Sequence, residues 1–248
     1  MSTAVKWTAF GVALAAGLFA LWSMFFRDTT TPVQREDIVA TTAPGQAAPG
    51  SPGVYRFVAS GFEEIDALGG ARHEYPAETF VTIEATDCGY LVRWDALVER
   101  WTEWELCTTG DGFELASLTS FHRWFGQSNL EPYSCDPGAL LIPTDAAAGV
   151  STFACTLDST VETYTREVVA TETIEVAGTP ATAIHVRLHS EIEGTTNGTA
   201  VLDLWWLEGE PLPVRFLIER DNVTEAAVGA VAYTERFEIT AASLFPEG

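Results

Sequence analysis

Alternating apolar and polar residues dominate the second half of the chain. Within residues 181–193, Ile184 and Val186 take one parity and His185 and Arg187 take the other, which is the period-two pattern of a strand with one buried face. Runs of the same kind follow at residues 199–207, 214–220 and 228–240. Together with a run that begins at Glu167, they predict a five-stranded antiparallel meander over about residues 167–240.

The first half is less regular, but its short apolar runs are also typical of strands. Residues 95–106 fit a helix with Leu97, Trp101 and Trp104 on one face, or a strand that separates the two tryptophans. We favour the strand, because a cystine then joins neighbouring strands. Residues 127–152 contain several prolines and glycines and are predicted to form an irregular connection.

These patterns predict the fold class. We expect a mainly β protein with little helix, in which long strands form a curved antiparallel sheet that is half-barrel or sandwich-like. One transmembrane helix is expected to precede this sheet.

That helix is predicted from residues 7–26, which carry no charge and are bounded by Lys6 and Arg27. A helix of this length spans about 30 Å, the thickness of a bilayer core. The run is longer than the apolar part of a signal peptide, and no small-x-small cleavage site follows it directly. We therefore expect a retained signal anchor that binds the membrane, preceded by a cytoplasmic stub of residues 1–6.

Composition changes after the anchor. Residues 27–53 are rich in Thr, Ala, Pro and Gly and poor in large apolar residues, which predicts a disordered tether. The β domain is expected over residues 54–246.

All four cysteines, Cys88, Cys107, Cys135 and Cys155, follow the anchor. Four cysteines allow three connectivities, and we favour Cys88–Cys107 with Cys135–Cys155 because each pair closes a short loop. The chain has no C-x-x-C motif, so no metal site is predicted. Disulfides imply an oxidising compartment, and we expect a single-pass cell-membrane protein with a cytoplasmic N-terminus and an extracytoplasmic domain.

Charge excludes one class of partner. The chain has 13 Lys+Arg and 35 Asp+Glu; all the acidic residues but only 11 of the basic ones follow Arg27, so residues 28–248 carry 11 − 35 = −24. Such a domain repels phosphate backbones, and we exclude nucleic acid as a partner.

Candidate catalytic groups are sparse. No G-x-S-x-G, H-E-x-x-H, P-loop or G-x-G-x-x-G motif occurs, so neither enzyme activity nor a cofactor is predicted. His185 and His189 lie four residues apart on a predicted strand, about 13 Å from each other, and are expected on a solvated polar face. Glu63, Glu64 and Asp66 are expected to form a charged surface turn.

The tryptophans are the unusual feature of the domain. Among them, the candidate ligand-binding residues are Trp101, Trp104, Trp205 and Trp206. Apolar residues occupy both faces of the strand that contains Trp205 and Trp206. This pattern fits either two packed layers or a curved sheet whose concave side lines a hydrophobic pocket.

Residues 197–216 (NGTAVLDLWWLEGEPLPVRF) resemble the strand-turn-strand of extracytoplasmic half-barrel proteins of the LolA/LppX type. In those proteins a W-x-x-x-x-G-x-P-x-R-like segment joins two long strands, and Trp206, Pro211 or Pro213, and Arg215 are the matching positions here. The resemblance implies an open, curved antiparallel sheet closed by helix, with a cavity for an acyl chain or another amphiphile.

These observations together predict a function. We expect a membrane-anchored, extracytoplasmic bacterial envelope protein that is not a catalyst and binds an apolar or amphiphilic envelope ligand, such as a lipid. Two alternatives stay open: a surface module for protein–protein interaction or sensing, and an enzyme with an unrecognised site.

Overall fold

A computed structural model of the chain describes residues 28–38, 48–144, 149–226 and 229–247. The predicted stub and anchor lie outside these residues. Within them, fourteen strands form one sheet. In chain order the strands are β1 (Gly53–Ile65), β2 (Ala71–Glu74), β3 (Glu78–Ala85), β4 (Gly89–Leu97), β5 (Arg100–Thr109), β6 (Gly112–Trp124), β7 (Gln127–Cys135), β8 (Leu140–Pro143), β9 (Val150–Leu157), β10 (Thr160–Val176), β11 (Thr179–Glu193), β12 (Thr196–Leu207), β13 (Pro213–Ala226) and β14 (Gly229–Ala241).

The sheet closes on itself as an antiparallel barrel of 12 strands. Its order is β1-β3-β4-β5-β6-β7-β9-β10-β11-β12-β13-β14, and β14 pairs back onto β1 from Phe57 opposite Ala241 to Ile65 opposite Tyr233. The short strand β2 pairs with the end of β1, and β8 pairs with β6. The predicted mainly β, curved antiparallel sheet is confirmed. Closure, which satisfies both sheet edges, stands in place of the half-barrel or sandwich.

The period-two pattern predicted the second half well. Strands β10 to β14 form the expected meander, each antiparallel to the next. The ambiguous residues 95–106 fall in the β4–β5 hairpin, so the strand interpretation is confirmed. Trp104 points to the barrel interior, whereas Trp101 lies on the outer wall.

The irregular connection predicted at residues 127–152 is wrong, because β7, β8 and the start of β9 lie within it. Most residues of β7 are exposed on both faces, which hides the alternation. Pro132 pairs with Thr119 on β6, while β9 pairs only with Ser134 and Cys135. Among the described residues no strand flanks Pro132 on that side, so its missing N–H breaks no ladder there.

Two disulfides join neighbouring strands in the pairing that the sequence predicted. Cys88, next to the start of β4, is bonded to Cys107 on β5, and Cys135 on β7 is bonded to Cys155 on β9. The second disulfide lies where β7 and β9 share few backbone pairs. It therefore adds a covalent link where the pairing of the barrel wall is short.

The two ends of the barrel differ. We call one end the closed end, because Val54, Tyr55, Leu212 and Val214 fill it and are 0% exposed. We call the other end the mouth. It is bounded by the connections after β1, β4, β6, β9 and β11, at residues 66–70, 98–99, 125–126, 158–159 and 194–195.

Residues 28–38, from the segment predicted as a tether, hydrogen bond to the barrel. The backbone N–H of Thr31 donates to Glu99 Oε2 at 2.7 Å, and Val98 N–H donates to the carbonyl of Thr31 at 2.9 Å. Arg35 forms an ion pair with Glu247 near the closed end. The described part of the chain contains no helix long and apolar enough to cross a bilayer.

Closure depends on a close approach at Gly61 in β1, where β14 packs against a backbone with φ +131°. A β-carbon there would overlap the carbonyl of Arg236 and lie 2.5 Å from Phe237 Cα. We expect Gly61→Ala to lower the free energy of unfolding by about 3 kcal/mol, through backbone strain and overpacking. Gly110→Ala, in open space, is the control in a urea titration, and equal losses in both variants would contradict this packing.

Candidate functional site

The barrel encloses a cavity of about 270 Å³ that reaches solvent at the mouth. Asn129 and Ala226 line it and are exposed. Deeper in the barrel its wall is apolar and includes Trp94, Trp104, Leu118, Leu202, Leu204 and Phe216. The cavity is therefore open to solvent at one end and apolar at the other, which is the usual character of a small-molecule site.

Of the four predicted tryptophans, only Trp104 lines this cavity. Trp101 stacks on Phe121 at 5.4 Å and lies beneath Arg93 on the outer wall. Trp205 is also on the outer wall, between His185 and Arg215. Trp206 is 2% exposed and packs in the core.

Trp94 and Trp124 line the cavity but were not singled out from the sequence. Parity along β4 and β6 identifies both once the strands are aligned, because Trp94 shares a face with Val92 and Trp124 shares one with His122. The pattern by itself does not say which face of a strand is concave.

Between the apolar wall and the mouth lies a belt of alternating buried charge, which we call the charge belt: Glu162, Arg220, Glu235, Arg100, Glu63, His73 and Asp28. It begins on β10, where Glu162 is 1% exposed. Arg220 on β13 donates to both carboxylate oxygens of Glu162, at 2.9 and 3.4 Å. Arg220 in turn lies opposite Glu235 on β14.

Glu235 connects the two arginines of the belt. Arg100, at the start of β5, approaches Glu235 Oε1 at 2.9 Å through Nη2 and Glu63 Oε2 at 3.5 Å through Nε. The phenol of Tyr75 donates to Glu235 at 2.6 Å. Burial raises the pKa of Tyr75, so its phenol stays a neutral donor.

Glu63 is the centre of the belt and is 0% exposed. His73 Nδ1 lies 2.7 Å from one carboxylate oxygen, and the other oxygen is 2.9 Å from His122 Nδ1 and 3.1 Å from the phenol of Tyr233. The prediction that Glu63 belongs to a charged surface turn is therefore wrong. Glu63 continues the inward parity of Tyr55, Phe57 and Ala59 on β1, a signal that was available in the sequence once β1 extended to Ile65.

His73 extends the belt to the N-terminal segment. Its Nε2 atom lies 2.6 Å from Asp28 Oδ2, and Trp124 stacks on its ring at 3.8 Å. The second oxygen of Asp28 accepts the backbone N–H of Phe125 at 3.0 Å. The chain just before the barrel thus supplies one carboxylate to the belt.

These contacts shift two pKa values. Burial alone would raise the pKa of Glu63, but the charge and hydrogen bond of His122, the hydrogen bond of His73 and the charge of Arg100 outweigh burial and lower it from 4.5 to about 2. Burial would lower the pKa of His73, but Glu63 and Asp28 raise it above its ordinary 6.5. Glu63 is therefore ionised, and the protonated form of His73 is favoured.

His122 and Ser120 present free polar atoms to the cavity that they line. In the described part of the chain, His122 Nε2 and Ser120 Oγ have no hydrogen-bond partner among the protein's own atoms. An imidazole oriented by a carboxylate is also the arrangement of a general base. Ser120 and His122 are not hydrogen bonded to each other, so Ser120 is not placed as a nucleophile that His122 activates. These two atoms are available to hydrogen bond with a molecule in the cavity.

The expected solvated face of His185 and His189 is wrong for His185. That side chain is 5% exposed, lies 2.6 Å from Asp203 and 3.1 Å from Glu172, and stacks on Trp205. The aromatic cover on the outer wall excludes water from it. His189 is exposed, as expected. Within the described residues no group of three or more His, Cys, Asp or Glu side chains is placed to hold a metal ion.

Comparison with known proteins adds no relative. No protein-family model, curated protein or solved structure matches this chain. The resemblance of residues 197–216 to half-barrel proteins stays a prediction, and a functional interpretation depends on the site itself.

The two pKa shifts predict a pH dependence of stability. Because the pKa of Glu63 is lowered, its stabilisation is present above pH 4.5 and is lost as the pH falls toward about 2. Because the pKa of His73 is raised, its stabilisation is complete below pH 6.5 and is lost as the pH rises through the raised pKa.

We expect the free energy of unfolding of the wild type to fall as the pH rises above 6.5 and through the raised pKa of His73, and His73→Gln to flatten this slope. His189→Gln, an exposed histidine on the outer wall, is the matched control and keeps the wild-type slope. Urea titrations across this range measure the effect. An unchanged slope in His73→Gln would show that His73 does not carry a stabilising charge.

Proposed function

We propose that this protein binds a single-chain, uncharged amphiphile inside its barrel, without transforming it, on the outer side of a bacterial cell membrane. The observation that carries the proposal is an apolar cavity that adjoins a belt of internally paired charges, with His122 and Ser120 free between them. In such a cavity an apolar tail contacts apolar side chains, and a polar end forms hydrogen bonds.

The size of the cavity supports a single chain. Its volume of about 270 Å³ lies near the lower end of small-molecule sites, which are about 300–1,000 Å³. Aromatic side chains such as Trp94 and Phe216 fill much of the remaining interior. A medium-length chain fits this space better than a two-chain phospholipid.

The charge of the belt supports an uncharged polar end. Four carboxylates, of Glu162, Glu235, Glu63 and Asp28, lie against four basic side chains, Arg220, Arg100 and His73 of the belt and His122 beside it. No positive charge is left over to pair with a carboxylate or a phosphate, and an unpaired buried charge is costly. A hydroxyl or carbonyl needs only the hydrogen bonds of His122 and Ser120.

The setting of this activity rests on two further observations. Both disulfides support an oxidising compartment, and the apolar residues 7–26 support a membrane anchor. We therefore place the barrel outside the membrane, where free amphiphiles are poorly soluble and a protein that shields the apolar chain has a use.

Filling the cavity from the strand that bears His122 tests the binding. We expect Ser120→Trp to weaken binding of a bromine-tipped medium-chain alcohol at least about tenfold, equivalent to about 1.4 kcal/mol, because the indole occupies the space near the mouth. Thr119→Trp, on the opposite face of the same strand, is the matched control. Quenching of tryptophan fluorescence by the bromine measures binding to the full-length protein in detergent.

Comparable quenching of Ser120→Trp and the wild type would place the alcohol outside the barrel and remove the support for an interior site. Intact disulfides and an unchanged circular dichroism spectrum establish that each variant is folded.

The polar end is tested with a matched series of one chain length bearing an alcohol, a carboxylate or an ammonium group. We expect the alcohol to bind most tightly and the carboxylate at least about tenfold more weakly at a pH where it is ionised. Calorimetric titration of the full-length protein in detergent measures all three. A carboxylate or amine that binds more tightly than the alcohol would contradict the compensated belt.

A further inference from the structure

We propose that the mouth of the barrel rests directly on the membrane that holds residues 7–26, so that the cavity opens toward the bilayer. The occupant of this surface is a lipid bilayer, and the surface is the mouth with its connecting turns. The inference concerns orientation and does not require that the cavity binds a ligand, although it does rest on the predicted anchor.

The path of the chain carries the inference. The apolar run ends at Phe26, and two residues later the carboxylate of Asp28 is held at the mouth by His73 and Phe125. Two residues of extended chain span at most about 7 Å. Thr31 is then fastened to Val98 and Glu99 at the same end. A disordered tether of residues 27–53 would let the barrel move far from the bilayer. These contacts instead fix Asp28 and Thr31 at the mouth, near the start of that segment.

Exposed apolar side chains cluster at the same end. Nine large apolar residues are exposed in the described part of the chain, and four of them lie in or within four residues of a connection at the mouth. A fifth, Val223, pairs with Asn197, two residues after the connection at residues 194–195. These five are Leu68, Val98, Leu130, Val161 and Val223. Apolar groups of this kind gain most when they contact the apolar part of a bilayer interface.

Backbone conformation adds an independent observation. Leu68 and Phe125 both have left-handed backbones, with φ of 54° and 50°, and both lie in connections at the mouth. Bulky residues are unfavourable there, and such conformations cluster at binding surfaces. In a turn that only reversed the chain, glycine or asparagine would be less strained.

Charge decides which lipid suits this surface. Carboxylates such as Asp66 and Glu225 are exposed around the mouth. Residues 28–248 as a whole carry a net charge of 11 − 35 = −24. Attraction to anionic headgroups therefore does not hold the mouth in place. The anchor and the apolar side chains hold it, and a zwitterionic bilayer is the appropriate probe.

The test places the photoreactive residue p-benzoylphenylalanine at one position at a time in the full-length protein, reconstituted in phosphatidylcholine nanodiscs. Positions 68 and 98 report on the mouth. Positions 58 and 245, which carry exposed Val58 and Phe245 on the barrel wall and near the closed end, are the matched controls. We expect about tenfold more lipid adduct at the mouth positions, because only they reach the bilayer interface.

Equal lipid adducts at all four positions, or more at position 245, would overturn the proposed orientation. Adducts between two copies of the chain at positions 68 and 98, in place of lipid, would make the mouth a dimer surface and would also overturn it. A full-length chain that does not enter nanodiscs would overturn the anchor and the orientation together. None of these outcomes changes the result expected for the alcohol titration in detergent. The two experiments therefore distinguish a wrong orientation from a wrong proposal of ligand binding.

Asp28 supplies a second variant that tests the fastening itself. With the photoreactive group at position 98, Asp28→Ala should lower the yield of lipid adduct several-fold, because the barrel is then held by a longer segment. Thr29→Ala changes an exposed neighbour and should leave the yield unchanged. Equal yields in the two variants would show that Asp28 does not set the orientation.

Discussion

Pairing of buried charges around Glu63 is the interaction on which this structure depends. An ionised carboxylate at 0% exposure is stable in a barrel only when cations and hydrogen-bond donors replace its lost water. His73 on β2, Arg100 on β5, His122 on β6 and Tyr233 on β14 provide these partners. His73 lies opposite Glu63 through the pairing of β2 with β1, whereas Tyr233 lies beside it because β14 closes onto β1. The charge belt and the closed barrel therefore support each other.

The belt also divides the interior by polarity. Toward the closed end, aromatic and aliphatic side chains leave an apolar cavity. Toward the mouth, the charges are paired with one another, and His122 and Ser120 keep free polar atoms. This division favours a bound molecule that is apolar along its length and uncharged at its end. Asp28 joins the belt from the N-terminal segment, and this contact links that segment to the charges of the barrel interior.

Much of the wall was predictable from sequence, whereas most of the site was not. Period-two alternation identified the meander of β10 to β14, and cysteine spacing identified both disulfides. β7 was missed because its residues near the mouth are exposed on both faces, and closure depends on pairing between β1 and β14, some 170 residues apart in contacts such as Tyr233 to Glu63. Glu63, His73, Arg100 and Glu235 are scattered along the chain, so no local motif marks them as a cluster.

Native mass spectrometry of the full-length protein, extracted from cells in mild detergent, tests the central claim most directly. The account predicts a chain with both disulfides formed that retains one small molecule, and that this molecule is a single-chain amphiphile without a net charge. A chain that never carries such a molecule, or that carries a phospholipid or a fatty acid in its place, would contradict the account of the compensated belt and its cavity.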